Sequence, residues 1–312
     1  MSNVILATAG YDHTIRFWEA PTGVCYRTIQ FAESQINKLE ITPDARSILV
    51  AGNPHLKLFD VASSNPSPIS NFEGHSSNVT SIGFPKTGKW FFSGSEDGTV
   101  RVWDTRSPSS KREYEVGSPV NSVVLHPNQM ELIVATQSGK IGVCDLSSHK
   151  FRVICSDLTP VPIALRSVTI TADGRVLVAA NNEGKCFVYA ISSQDTSKIQ
   201  LVQELAAHKG YILTALFSPD MRTLATTSAD KTIALWSLTL NEAGKPHLVH
   251  SKKSLVGHER WVWDCRFSAD SAYLVSASSD QTTKLWELSN AEVLRQYSGH
   301  SKAVVSVALR DY

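Results

Sequence analysis

Seven heptads along the chain share one pattern of apolar and polar positions: QINKLEI from residue 35, NVTSIGF from 78, PVNSVVL from 119, ALRSVTI from 164, YILTALF from 211, WVWDCRF from 261 and AVVSVAL from 303. The second, fifth and seventh positions are apolar in nearly every case, Ala215 and Cys265 being the smallest. In a strand of period two these positions cover both parities, so both faces of each predicted strand are buried. Positions one and three vary freely. They read Gln35 and Asn37, Asn78 and Thr80, Pro119 and Asn121, Ala164 and Arg166, Tyr211 and Leu213, Trp261 and Trp263, Ala303 and Val305.

A second motif recurs in phase with the first: DHTIRFWE, NPHLKLFD, DGTVRVWD, SGKIGVCD, EGKCFVYA, DKTIALWS and DQTTKLWE. Its marker positions are Trp18, Phe59, Trp103, Cys144, Tyr189, Trp236 and Trp286, spaced by 41, 44, 41, 45, 47 and 50 residues. Such spacings sit at or just above the roughly 40 to 45 residues of a WD repeat, whose four strands make one propeller blade. Polar, turn-rich stretches account for the surplus: SSNPSP (63–68), SSQDTSK (192–198) and NEAGKPH (241–247).

The first ending, TAGYDHTIRFWE, starts at residue 8 and leaves no room for a preceding heptad, whereas the last heptad, AVVSVAL, has no ending after it. Each supplies what the other lacks. Residues 300–312 are therefore expected to complete the first blade beside the strands Val4 to Thr8, Thr14 to Trp18 and Val24 to Ile29. The expected fold is all-β: a single seven-bladed WD-repeat propeller over residues 1–312, closed by pairing of the N- and C-terminal strands, which removes exposed sheet edges. Cys144 stands where a blade-closing aromatic is expected, which puts the stability of the fourth blade in question, and the loop 239–254 looks idiosyncratic.

Four residues recur at fixed offsets in three blades: His75, Ser93, Asp97 and Trp103; His208, Thr226, Asp230 and Trp236; His258, Ser276, Asp280 and Trp286, with 28 residues from His to Trp each time. Thr8, Asp12 and Trp18 keep the same internal offsets, and His300 supplies the histidine from the other end. Hydroxyl, imidazole and carboxylate together suggest acyl transfer, which needs a nucleophile, a base and an orienting group. Four copies, each ending in an indole able to donate to the hydroxyl, describe instead a hydrogen-bond chain that ties a loop to a strand. No phosphate-binding loop, dinucleotide fingerprint, zinc-protease helix or nucleophile elbow occurs, and the ten histidines include no pair at metal-ligand spacing. The expectation is a protein that is not an enzyme, with no catalytic residue, cofactor, metal or small-molecule substrate.

Charge changes the picture only by exclusion. Thirty Lys and Arg against 29 Asp and Glu leave a formal charge of +1, with no long run of one sign, which disfavours nucleic acid as a partner. Five scattered cysteines without a C-x-x-C fit reduced thiols. The opening MSNVILATAG lacks a signal-peptide pattern, and no apolar run is long enough to span a membrane, so a soluble protein is expected.

What remains is a rigid interaction platform whose specificity lies in the variable heptad positions. Trp261 and Trp263, two apart in a strand, are expected on one face beside Tyr211, near polar Gln35, Asn37 and Asn121. Aromatic residues ringed by polar ones have the composition of a protein-binding hot spot. At these residues the chain resembles a known family. GYDHTIRFWEAPTGVC, SPVNSVVLHPNQMELIV, HERWVWDCRFSADSAYLVSASSD and GHSKAVVSVAL are similar to the small WD-repeat subunit of target-of-rapamycin (TOR) kinase complexes, the lethal-with-sec-thirteen family. The resemblance covers essentially the whole chain. It implies a non-catalytic scaffold, a monomeric propeller that binds the C-lobe of the TOR kinase domain and other TOR complex subunits and supports the kinase in nutrient and growth signalling. Docking through Gln35, Asn37, Asn121, Trp261 and Trp263 is implied, as is a cytoplasmic location or a peripheral one on vacuole, endosome or Golgi membranes through the complex. The same blades would serve an adaptor of another assembly, such as a vesicle coat or a ubiquitin-ligase receptor.

Overall fold

A computed structural model describes residues 4–156, 162–191, 196 and 199–311. Among them are 28 strands and no helix. In chain order the first blade holds β1 (Ile5–Gly10), β2 (Thr14–Trp18) and β3 (Cys25–Gln30), and the second β4 (Lys38–Ile41), β5 (Ser47–Ala51), β6 (Leu56–Asp60) and β7 (Ser70–Phe72). The third comprises β8 (Val79–Gly83), β9 (Trp90–Ser95), β10 (Thr99–Asp104) and β11 (Ser110–Glu115), and the fourth β12 (Val120–Leu125), β13 (Glu131–Thr136), β14 (Ile141–Asp145) and β15 (Lys150–Cys155). Next come β16 (Leu165–Ile170), β17 (Val176–Asn181), β18 (Lys185–Ile191) and β19 (Ile199–Ala206), followed by β20 (Ile212–Phe217), β21 (Thr223–Ser228), β22 (Thr232–Leu240) and β23 (Pro246–Val256). The seventh blade holds β24 (Val262–Phe267), β25 (Tyr273–Ser278), β26 (Thr282–Glu287) and β27 (Glu292–Ser298), and β28 (Val304–Arg310) ends the series.

The strands assemble into seven four-stranded sheets, and the architecture is a seven-bladed β-propeller. In the first blade the order is β28-β1-β2-β3, with Leu6 opposite Leu309 and Thr8 opposite Val307, so the two ends of the chain share one sheet. The chain divides into two compact units, residues 1–120 with 263–312, and residues 121–262. Each has its own core. In the first unit Ile15, Phe17, Ile36, Leu39 and Ile48 pack between the first two blades, and Leu6, Trp18, Val275, Tyr297 and Val307 between the seventh and the first. In the second unit Ile133, Val143, Leu177, Phe187 and Tyr189 form one cluster and Val188, Ile212, Leu224 and Trp236 another.

Heptad position four carries an unforeseen regularity. It reads Lys38, Ser81, Ser122, Ser167, Thr214, Asp264 and Ser306. In three blades it is a serine whose hydroxyl oxygen accepts the N–H of position five in the next blade: Leu39 to Ser306 at 3.0 Å, Val168 to Ser122 at 3.3 Å and Ala215 to Ser167 at 3.0 Å. Asp264 Oδ2 does the same for Val307 at 3.2 Å and also accepts the Ser306 hydroxyl at 3.0 Å. The two departures from Ser and Thr pair with each other, Lys38 Nζ lying 2.9 Å from Asp264 Oδ1. Arg266 completes the cluster, 3.0 Å from Asp264 and 3.3 Å from Glu40. Burial pushes the Asp264 carboxyl up, but the charges of Arg266 and Lys38 outweigh it and hold the group below its ordinary range.

One local expectation changes. NEAGKPH is mostly a turn but not wholly a loop: β22 runs to Leu240 and β23 resumes at Pro246, and these strands pair from Leu240–Pro246 inward, making a hairpin longer than those of the other blades. The Gln203 side chain holds it, donating to Leu248 O at 3.0 Å and accepting from Leu248 N at 2.8 Å. The fourth blade, despite Cys144, has all four strands. Cys144 is fully buried opposite Phe151, whose ring covers Gly142, where a Cβ would fall 2.3 Å from it. The stretch 192–198 lies outside the described residues except for Thr196.

Candidate interaction face

The variability of heptad position three has a backbone cause. In four blades the register between the first two strands slips at that residue: Val79 and Ser81 pair with Ser95 and Gly94, Leu165 and Ser167 with Asn181 and Ala180, Ile212 and Thr214 with Ser228 and Thr227, and Val304 and Ser306 with Gly10 and Ala9. Thr80, Arg166, Leu213 and Val305 are thus the extra residues of β-bulges. A bulge removes its residue from the in-out alternation and re-aims the side chain. Position three is therefore released from the alternation: Thr80, Arg166 and Leu213 are half-buried, and Val305 stays buried.

A turn residue that sequence reasoning missed meets it. Asn121 Nδ2 donates to Gln137 Oε1 at 3.0 Å, Arg166 Nε to Asn182 Oδ1 at 2.9 Å and Trp263 Nε1 to Ser279 Oγ at 2.6 Å, in each case sixteen residues downstream. That constant offset is a signal the heptad alignment contained. The partners lie in the tight turn between the second and third strands, whose next-but-one residue has positive φ: Gly98, Gly139 and Gly184 supply it, whereas His13, Lys231 and Gln281 adopt it as non-glycines.

In the first unit, Asn37 Nδ2 lies 3.3 Å from each of Gly52 O, Asn78 Oδ1 and Val79 O, and Asn78 Nδ2 donates to Glu96 Oε2 at 2.8 Å. Gln35 is half-buried, its carbonyl accepting the Ser34 hydroxyl at 3.1 Å. Trp263, also half-buried, meets Tyr11 edge-on with centroids 6.1 Å apart. Tyr11 is a further residue absent from the sequence reading, since it stands where other blades carry Glu96 or Gln137. In the second unit, Asn121 Nδ2 also donates to Leu165 O at 2.8 Å. Tyr211 and Trp261 meet edge-on at 6.1 Å and remain 47% and 41% exposed, high values for aromatics in a protein whose other tryptophans are mostly buried. β24 begins at Val262, so Trp261 precedes the strand and alternation does not govern it; each indole has its own aromatic neighbour.

The His-containing sets are hydrogen-bond chains. Trp18 Nε1 donates to Thr8 Oγ1 at 2.7 Å, Thr8 Oγ1 lies 2.8 Å from His300 Nε2, and His300 Nδ1 lies 2.9 Å from Asp12 Oδ2. The distances are 2.9, 2.7 and 2.7 Å through Trp103, Ser93, His75 and Asp97, and 3.0, 2.8 and 2.9 Å through Trp236, Thr226, His208 and Asp230. In the seventh blade Trp286 Nε1 donates to Ser276 Oγ at 2.8 Å beside buried His258, and Asp280 accepts the Thr282 N–H and hydroxyl. Thr8, Ser93, Thr226 and Ser276 are wholly buried with an indole N–H on the oxygen, so none can meet a substrate. Burial raises the Asp12, Asp97 and Asp230 carboxyls, but bonds from His and Thr outweigh it and keep all three low. Burial lowers His75, which favours the neutral ring that such a chain requires. No group of three His, Cys, Asp or Glu among the described residues is placed to hold a metal.

Comparison with known proteins closes the question of family. A Dictyostelium discoideum protein called Protein LST8 homolog is 50% identical over 238 residues, 76% of this chain and 77% of that one. The target of rapamycin complex subunit wat1 of Schizosaccharomyces pombe is 49% identical over 75% of this chain and 74% of its own length. The chain belongs to the LST8 family. Target of rapamycin complex subunit LST8 of Saccharomyces cerevisiae is 48% identical over 76% of this chain and 78% of that one. The family described as WD domain, G-beta repeat matches residues 66–104, 199–237 and 250–287. Those are the three blades whose His, Ser or Thr, Asp and Trp follow one another in sequence; the fourth set is split between the chain ends, beyond the reach of a linear repeat. The β-propeller domain of Cps50 (Swd1) from Myceliophteria thermophila has the same fold, with a TM-score of 0.73 at 16% identity over 88% of this chain and 93% of that one.

Proposed function

We propose that this LST8-family chain is a non-catalytic subunit of TOR kinase complexes, binding the C-lobe of the kinase domain through heptad positions one and three and supporting kinase activity in nutrient and growth signalling. The observation that carries the reading is the 48–50% identity, over three quarters of the chain, to relatives whose names include TOR complex subunits. The geometry favours docking over chemistry. Exposed Tyr211 and Trp261 offer apolar area, and Asn37 and Asn121 have donors already fixed by backbone carbonyls, so both kinds of group meet a partner with little ordering left to do. The protein acts in the cytoplasm, or on endomembranes through its complex.

The test uses a tagged chain expressed in its own cells. The Trp261→Ala, Trp263→Ala double variant, first checked for a parental melting curve, is compared with the parent for retention of the kinase and for phosphorylation of kinase substrates. Central aromatics commonly cost about 2 kcal/mol or more each when truncated, so retention should fall on the order of a hundredfold. A folded double variant that holds the kinase with parental affinity removes these residues from the docking face.

A further inference from the structure

Arg166 stands apart from every other residue at heptad position three. The seven are Asn37, Thr80, Asn121, Arg166, Leu213, Trp263 and Val305, so it is the single cation of the set. It is the bulged residue at the start of β16, outside the packed alternation, and half-buried. Its Nε donates to Asn182 Oδ1 at 2.9 Å, which fixes the plane of the guanidinium. Three half-buried arginines meet a carboxylate, Arg101 with Glu113 at 2.7 Å, Arg152 with Glu131 at 2.9 Å and Arg266 with Asp264 at 3.0 Å, while the terminal nitrogens of Arg27 and Arg310 are taken up by backbone carbonyls. Arg166 has an amide instead, and among the described residues its two terminal NH2 groups meet no acceptor. The neighbouring strand adds the amide of Asn121, and the turns add those of Gln137 and Asn182, all uncharged.

We infer that Arg166 is a recognition site for an aspartate or glutamate side chain of a partner protein, whose two oxygens accept one N–H from each terminal nitrogen. With Nε occupied, the end of the fork is what faces outward, and it matches a planar carboxylate in two parallel bonds. One positive charge among neutral amides balances a carboxylate but not the near-double charge of a phosphate group. The Asn182 bond holds the fork before the partner arrives, so less rotamer freedom is lost on binding.

The inference rests on the docking reading above in that the partner is taken to be a component of the kinase complex, and the experiment separates the two. The tagged parental chain and its Arg166→Glu, Arg166→Gln and Arg166→Lys variants, each checked by its melting curve, are used to retain the complex at several salt concentrations. Retention by the Arg166→Glu variant should fall on the order of tenfold or more at low salt, with the gap from the parent narrowing as salt rises, and the Arg166→Gln variant should lie between. In the Arg166→Lys variant a carbodiimide should join the new amine to a partner carboxylate, and sequencing the cross-linked peptide should return Asp or Glu. Parental retention by the Arg166→Glu variant across the salt range overturns the inference, as does release of the partner by phosphatase treatment, which would make phosphate the ligand. If the Trp261→Ala, Trp263→Ala change releases the kinase and Arg166→Glu does not, docking stands and this site falls. If the parental chain retains no kinase, yet position 166 cross-links to a carboxylate of a co-purifying protein that Arg166→Glu releases, docking falls and this site stands.

Discussion

Replacing Asp264 by Ser should destabilise the protein far more than its size suggests, and replacing Lys38 by Ser at the same time should restore part of the loss. The Asp264 side chain is 1% exposed and accepts from Lys38, Arg266, Ser306 and the Val307 N–H, while Arg266 also faces Glu40. The four side chains Lys38, Glu40, Asp264 and Arg266 sum to zero charge. Asp264→Ser alone leaves an excess positive charge among side chains that are 19–20% exposed, and breaking a pair in such surroundings costs about 3–5 kcal/mol. At about 2–4 °C per kcal/mol, the melting temperature should drop by roughly 6–20 °C. Lys38→Ser alone should cost less, because Arg266 still compensates the carboxylate. The double change leaves Arg266 with Glu40, again neutral, and puts at both positions the residue that the repeat uses at Ser81, Ser122, Ser167 and Ser306. Thermal unfolding of the parent, both single variants and the double variant forms a cycle whose coupling should favour the pair by about 1–3 kcal/mol. Losses that simply add in the double variant would refute the account of Lys38 and Asp264 as mutually dependent departures from one repeated hydroxyl.

Deleting residues 302–312 removes β28, strips β1 of its partner and should abolish cooperative unfolding; a truncated chain with the parental melting curve would contradict that. Thr283 is buried with its hydroxyl unsatisfied, in a slot that Ile15, Val100, Ile141 and Ile233 fill elsewhere, so Thr283→Val should stabilise by about 1 kcal/mol, read as a melting temperature a few degrees higher. Asp280→Ala should cost about 1–3 kcal/mol by denaturant titration, because the Thr282 N–H and hydroxyl lose their acceptor, and should remove no activity beyond what unfolding explains. The Asp12, Asp97, Asp230 and Asp264 carboxyls are all held low in the folded state, so their contribution is fully present above the unfolded value of about 4 and is lost as pH falls further; lowered His75 adds a shallow decline as pH falls below 6.5, melting temperature should fall steeply below about 4, and constancy down to pH 3 would count against these pairings.

The parts of this structure legible in the sequence are those set by side-chain period. Alternation placed Ile36, Leu39 and Ile41 in a buried strand, and the fixed distance from His to Trp revealed the first blade's missing histidine at the far end of the chain. Features set by backbone geometry were not legible in that way. The bulges at Thr80, Arg166, Leu213 and Val305 are slips of register, which composition does not encode, so positions one and three looked like two points on one strand face when position three obeys a different geometry. Trp261 shows the cost: it lies before its strand, and its neighbour is Tyr211. Tyr11 and Gln137 were hidden because a turn residue has no period of its own. The long hairpin from Leu240 to Pro246 was read as loop because Asn, Gly and Pro crowd its tip, while the pairing on either side depends on Gln203 from another blade.

The first blade also sets an order of events in synthesis. Its three leading strands are made before all others, yet Thr8 must wait 292 residues for the His300 ring, and β1 for its neighbour β28. A nascent chain therefore carries an unpaired strand edge while every other blade is being made and has its own four strands close at hand. At about 5–20 residues per second that wait lasts roughly a quarter of a minute to a minute, long against the microseconds in which a hairpin forms. Closure of this blade waits until β28 has been made, and until then β1 is a template for any strand it meets. A folding assistant that shields a single edge, acting late and on the N-terminal blade, would address the one hazard that this arrangement of chain ends creates.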